Sequence, residues 1–201
     1  MTAVFLPPLP YRATPNRSLR NPPSRKPSLI VLHSWGSPAA TSPVEARQRF
    51  AGVTNYLCDP DVQVSAHVVY GGKLGDPDGE AVQLVPWDQK AWTQAGLNSA
   101  CLSVESADAI WRGHDEPGFL QLARIVAFWC HKTKIAPIWT VNPAVPGVTR
   151  HVDLGPLGNP SGHVDPTLDV KLWRRFVEAV RLEHVRGGFR PTWGRGEFRP
   201  L

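Results

Sequence analysis

Three segments of this 201-residue chain carry histidines in settings suited to chemistry. Leu29-Ile30-Val31-Leu32-His33-Ser34-Trp35 is an apolar run ending on an imidazole, the pattern of a buried strand that delivers a His to the rim of a sheet. Thr149-Arg150-His151-Val152-Asp153-Leu154-Gly155 and Gly162-His163-Val164-Asp165-Pro166 repeat His-Val-Asp within a Gly/Pro-rich stretch that no regular helix accommodates. Two imidazoles and a carboxylate from distant parts of a chain are the usual ligands of a catalytic zinc site with one position left open. His33 alone would say little, since a lone His at a strand end is more often structural. His151 adds weight, because a His-x-Asp in a Gly-rich loop has no packing rationale, and a metal would tie such a loop down.

Those side chains need elements to position them. Residues 28–33 read as a buried strand. Ser42-Pro43-Val44-Glu45 has the Ser-x-x-Glu capping form with Pro at the first helical position. Ala46, Phe50, Val53 and Leu57 follow at helical spacing, predicting a helix through about Cys58, which Asp59-Pro60-Asp61 breaks. Segments 64–70 and 81–85 read as paired strands around a turn-rich connection, and 100–105 as another strand. The stripe Phe119, Leu122, Ile125, Val126 and Trp129 predicts a helix from about Pro117 to His131. Ile138-Trp139-Thr140 reads as a short strand and 141–166 as a long loop. Leu168, Leu172, Phe176, Val177 and Val180 mark a final amphipathic helix ended by Gly187-Gly188. Strands and helices interleave without a GxGxxG or Walker motif, predicting a single α/β or α+β domain. It spans 28–186, between a Pro/Arg-rich arm (1–27) and a basic, Gly/Pro-containing tail or linker (187–201).

Hydrophobic content of 42% and eight Trp exclude a disordered chain. The net charge of +5 gathers at the two ends. It suits an anionic cell wall or membrane surface as well as it suits mere solubility. No groove-reading motif accompanies it, so no specific nucleic-acid partner is expected. Three Cys without CxxC spacing point to reduced, buried thiols. The first residues lack the form of a signal peptide, and no apolar run reaches the length of a membrane span. The expectation is a protein made in a cytoplasm without an export signal of its own.

The order of motifs carries a resemblance. It comprises the strand ending in His33-Ser34-Trp35, Val64-Ser65-Ala66-His67-Val68-Val69, Val82-Gln83-Leu84-Val85-Pro86, Ala91-Trp92-Thr93-Gln94-Ala95-Gly96-Leu97-Asn98, Leu102-Ser103-Val104-Glu105, His151-Val152-Asp153 and Asp165-Pro166. Over roughly residues 28–186 this resembles the zinc-dependent N-acetylmuramoyl-L-alanine amidases of the type 2 amidase and peptidoglycan-recognition-protein group, which includes many phage endolysins. The resemblance implies a central mixed β-sheet flanked by helices, and zinc (Zn2+) held by His33, His151 and Asp165. Pro166-Thr167 stands where the family has Pro-Gly. His163 is the rival third ligand. It also occupies the position, two before Asp165, where the family often has a Lys that steadies the oxyanion, which implies a catalytic role instead. Glu105 matches the family's catalytic carboxylate. His67 is expected to line the cleft or orient a partner, with Trp35, Trp92 and Asn98 as substrate contacts. The family's Trp-His-Ala is here Trp92-Thr93-Gln94-Ala95, without the His.

The implied reaction is hydrolysis, by zinc-activated water, of the amide between N-acetylmuramic acid and L-alanine of the stem peptide. The implied partner is peptidoglycan and the implied state a monomer. The setting would be phage-mediated lysis, with the enzyme held in the host bacterial cytoplasm until a holin releases it. Two alternatives stand beside it: a non-catalytic peptidoglycan-binding module, whose relatives usually lose a zinc ligand that this chain retains, and a zinc peptidase acting on wall peptides with the same residues.

Overall fold

Leu29, Ile30, Val31 and Leu32 are all fully buried, as befits a strand covered on both faces of a parallel sheet. The computed structural model describes residues 9–35, 39–167 and 169–186. In chain order the elements begin with β1 (Arg17–Leu19), β2 (Leu29–Trp35), α1 (Pro43–Leu57), β3 (Val68–Gly72), β4 (Glu80–Gln83) and β5 (Gln89–Ala91). A 3-10 turn (Ala95–Ala100) leads into β6 (Cys101–Ala107), α2 (Asp108–Trp111) and α3 (Glu116–Thr133). Then come β7 (Gly147–Arg150), a second 3-10 turn (His151–Leu154), α4 (Gly155–Gly158) and α5 (Val170–Arg186). The main sheet has the order β4-β3-β6-β2-β7. Its strands β3, β6, β2 and β7 run parallel, and β4 is antiparallel at the edge. β1 and β5 form a separate antiparallel pair. This is the mixed sheet flanked by helices that the sequence led us to expect.

Strand side chains alternate between faces. Ile30, Leu32, Leu102 and Val104 pack with Trp129, Trp173 and Phe176 of α3 and α5. Leu29, Val31 and Cys101 meet Leu97 and Leu154 on the opposite face, while Val69 meets Leu57 of α1 nearby. His33 continues the set Leu29, Val31, and Glu105 continues the set Cys101, Ser103. Both therefore leave the sheet on the face away from α3 and α5.

The helix signals hold: Ser42 Oγ accepts from the Glu45 N–H, while Glu45 accepts from Thr41 N–H rather than closing a reciprocal box on Ser42. The expectation of a featureless 141–166 loop does not hold. It contains β7, a 3-10 turn and α4, because four buried residues beside β2 suffice for a strand even when Gly and Pro flank them. Asp153 ties the segment down: it takes two hydrogen bonds from Arg150 (2.9 and 2.7 Å) and one from Trp139 Nε1 (2.9 Å). So the loop has an internal anchor as well as any metal, and His-Val-Asp does have a packing rationale. The segment 138–140 contributes a single bridge, Trp139 to Val148, rather than a strand. The β1–β5 pair was not foreseen, since three mixed-polarity residues carry no periodic signal. Residues 1–8, Leu168 and the tail 187–201, with Gly187-Gly188, lie outside the described residues.

The described part of the arm lies on the domain. Arg12 N–H donates to Gln83 O (2.9 Å), and Asn16 Nδ2 donates to Asp59 O (2.8 Å) and Val64 O (3.1 Å). Arg20, only 2% exposed, donates to the carbonyls of Trp87 (2.8 Å), Ser99 (2.8 Å) and Cys101 (3.1 Å). Burial lowers its pKa to about 10, still cationic at neutral pH. Removing such a donor strands the buried Cys101 carbonyl and two part-buried ones. Arg20→Met should therefore cost about 2–4 kcal/mol in urea unfolding; a loss below about 0.5 kcal/mol would show that the arm is not part of the folded unit.

Candidate active site

The register of three parallel strands assembles the site. Leu32 of β2 pairs with Val104 of β6 on one side and Arg150 of β7 on the other. One residue further on, the three strands present His33, Glu105 and His151 at the same level, at their carboxyl ends. His33 and Glu105 are themselves register partners, with Nδ1 and Oε1 3.9 Å apart. Asp165 arrives from the far end of the 151–166 segment, where its carbonyl accepts from Val152 N–H (3.1 Å). Its carboxylate then bridges the two imidazoles, with Oδ1 3.0 Å from His151 Nδ1 and Oδ2 3.3 Å from His33 Nδ1. Ser34 N–H also donates to Oδ2 (3.3 Å).

These three side chains offer ligand atoms within 4.8 Å of one another, the one such group among the described residues. Ligand atoms around a tetrahedral zinc lie roughly 3.3 Å apart, given bonds of about 2.0–2.2 Å. The spacing and donor types therefore fit zinc. The protonation states fit too. Burial lowers the pKa of His33, which keeps the ring neutral with a lone pair to give. Burial alone would raise Asp165, but the hydrogen bonds from His151 and His33 outweigh it and hold the carboxyl well below the usual carboxylate range. Glu105 is the opposite case: burial, with the Asp165 charge beside it, pushes it up to about 8.

His163 stands outside this donor group and is exposed, with its ring stacked on His151 at a centroid distance of 5.4 Å. Asn159, itself buried, clamps the His163 backbone by accepting from its N–H (2.9 Å) and donating to its carbonyl (2.7 Å). Alongside lies a cleft of 590 Å³ lined by Ser34, Trp35, Trp111, Asp165 and Pro166, among others. Trp35, expected as a substrate contact, is one of the residues lining this cleft.

Three expected contacts are placed elsewhere. His67 is 1% exposed and does not line the cleft. Its Nδ1 accepts from Ser103 N–H (3.1 Å) and its Nε2 faces the Gln89 carbonyl (3.1 Å). Burial and neighbouring Arg20 push it down to about 3, so it is a neutral strut between sheet and arm. Trp92 spends its indole N–H on Ser18 Oγ (3.1 Å), pinning β1. Asn98 Oδ1 accepts from the N–H groups of Thr93 (2.9 Å) and Gln94 (2.6 Å), shaping a turn behind the site.

Sequence reading missed the residues that support His33. Gln94 Nε2 lies 2.6 Å from His33 Nε2. Ser106 Oγ donates to the His33 carbonyl and accepts from Trp111 Nε1 (2.9 Å). For Gln94 the available signal was a long polar side chain between Trp92 and Leu97 that no periodicity explains; for Ser106 there was none.

Because folded Glu105 keeps its proton up to about pH 8 while an unfolded Glu releases it near 4.5, its ionisation destabilises the metal-free fold progressively as pH rises through that window. In chelator, Glu105→Gln should therefore gain stability over the parent chain by ~1–3 kcal/mol between about pH 5 and pH 8. Parallel pH profiles from urea melts would refute this account of Glu105.

Against known proteins, the N-acetylmuramoyl-L-alanine amidase family matches residues 23–167, more than half of the chain. No curated protein matches. Among solved structures, the hydrolase AmiA of Staphylococcus aureus, crystallised with its ligand, superposes with a TM-score of 0.67 at 14% identity, covering 92% of this chain and 86% of that one. A selenomethionine derivative of AmpD aligns with a TM-score of 0.57 at 22% identity, covering 88% and 96%. A mutant endolysin from Bacillus subtilis aligns with a TM-score of 0.57 at 18% identity, covering 85% and 96%. At these identities the neighbours speak for the fold, while the family match speaks for descent: the chain belongs to the N-acetylmuramoyl-L-alanine amidase family.

Proposed function

We propose that this chain is a zinc-dependent peptidoglycan amidase that hydrolyses the bond between the lactyl group of N-acetylmuramic acid and L-alanine of the stem peptide. One observation carries the reading: His33, His151 and Asp165 form a compact donor group, with Glu105 adjoining it, at the edge of an open cleft. A zinc ion held by those three residues would acidify water and polarise the scissile carbonyl.

Glu105 takes the proton of the attacking water and passes it to the departing alanine nitrogen. Its burial suits the second half of that task, because a carboxyl with a raised pKa readily delivers a proton near neutral pH, while the charge of a zinc ion held beside it would favour the ionised form that the first half needs. His163 donates a ring N–H to the oxygen on which negative charge develops, from a backbone held by Asn159. Asp165 stays ionised throughout. Trp35 gives the cleft a flat apolar surface for sugar or peptide.

The partner in this reading is the muramyl peptide of the cell wall, met by a monomer. Among the described residues no helix is long and apolar enough to cross a membrane. The biological setting we favour is phage-mediated host lysis, with the enzyme accumulating in the bacterial cytoplasm until holin-mediated release, and the basic ends drawing it to anionic wall polymers.

Mass spectrometry of digested sacculi, with and without chelator, tests the bond. The expected products are free stem peptides beginning in L-alanine, lost on chelation; new reducing ends or cleavage within the peptide would reject the assignment. Glu105→Ala should keep one zinc per chain while kcat falls about a hundredfold or more. His163→Ala should lower kcat by roughly 10²–10³ with little change in zinc content. Undiminished turnover in either variant would remove that residue from the mechanism.

A further inference from the structure

The His33 nitrogen facing away from Asp165 meets Gln94, a residue only 1% exposed, whose Nε2 is 2.6 Å from His33 Nε2. The other end of that amide, Oε1, is buried with no hydrogen-bond partner. As placed, the amide N–H donates to Nε2. The ring proton then sits on Nδ1, directed at Asp165 Oδ2 3.3 Å away. That tautomer suits a site without metal, but it occupies the lone pair that a ligand must offer from Nδ1.

A half-turn of the amide reverses the arrangement. The orphan Oε1 then accepts from an Nε2–H, and Nδ1 is free toward His151 and Asp165. Glutamine can serve both states because it carries a donor and an acceptor; leucine serves neither and glutamate only the second. The backbone is fixed for the task, since Asn98 Oδ1 accepts from Gln94 N–H (2.6 Å) and the Gln94 carbonyl accepts from Leu97 N–H (2.8 Å).

We propose that Gln94 is a positioning residue of the metal centre, which grips His33 through Nε2 and sets its tautomer by the orientation of the side-chain amide. The inference rests on the zinc reading above. Zinc affinity is measured on the full chain by competition with a chromophoric chelator, alongside the melting temperature of each metal-free protein. Gln94→Leu should bind zinc about 10–100-fold more weakly. Gln94→Glu, which keeps the acceptor, should bind within about threefold of the parent or more tightly. Equal affinity of parent and Gln94→Leu overturns the proposal, and so does an equal loss in both variants. A readout without substitution is nitrogen NMR of the His33 ring: the proton is expected on Nδ1 without zinc and on Nε2 with it. A proton on Nε2 in both states overturns the amide switch. Failure of the zinc reading looks different, because the parent chain itself would then take up no zinc.

Discussion

Everything at this site depends on the parallel register of β2, β6 and β7. Because Leu32 is level with both Val104 and Arg150, the next residue of each strand leaves the sheet at a common height. A shift of one residue in either pairing would turn a site residue to the α3/α5 face or move it several ångströms along the strand. The register in turn is held by the fully buried Leu29–Leu32 run, which has apolar neighbours on both faces. Sheet packing and the placing of the site residues are therefore one constraint rather than two.

A parallel sheet supplies two imidazoles and a carboxyl but no second acid to balance them. That comes from Asp165, and bringing it back across the segment that follows β7 takes its own anchors. Arg150, one residue before His151, grips Asp153 and also donates to the Thr167 carbonyl (2.9 Å), two residues past Asp165. One guanidinium thus fixes both ends of the excursion. The result concentrates ionisable groups in a buried place. His33 is kept neutral, Asp165 charged and Glu105 protonated beyond its ordinary range; the depressed Asp165 favours the fold at neutral pH, whereas the raised Glu105 works against it as pH rises.

Much of this was legible in the residues. The apolar run before His33, the Ser42 cap, the α3 stripe and the order of motifs were enough for the sheet, two helices and the family. What stayed hidden was what short range cannot encode. β7 is four residues long, and only burial beside β2 makes it a strand. His67 resembled a cleft residue because it sits in a motif, yet the buried Arg20 from the arm takes the space beside it. Gln94 and Ser106 act through contacts 61 and 73 residues away in sequence, where no periodicity can point. The repeated His-Val-Asp proved asymmetric in use: in the first copy the His faces the cluster and the Asp anchors the loop, whereas in the second the Asp joins the cluster and the His stacks outside.

The metal centre proposed here is made of His33 and His151 at the strand ends and Asp165 from the loop. Anomalous diffraction at the zinc edge, on crystals of the full chain grown with equimolar zinc, addresses it directly. One strong peak is expected about 2.0–2.2 Å from His33 Nδ1, His151 Nδ1 and an Asp165 carboxylate oxygen, with Glu105 beyond bonding distance. A peak held by Glu105 or His163 in place of Asp165, or no peak between the two imidazoles, would contradict it.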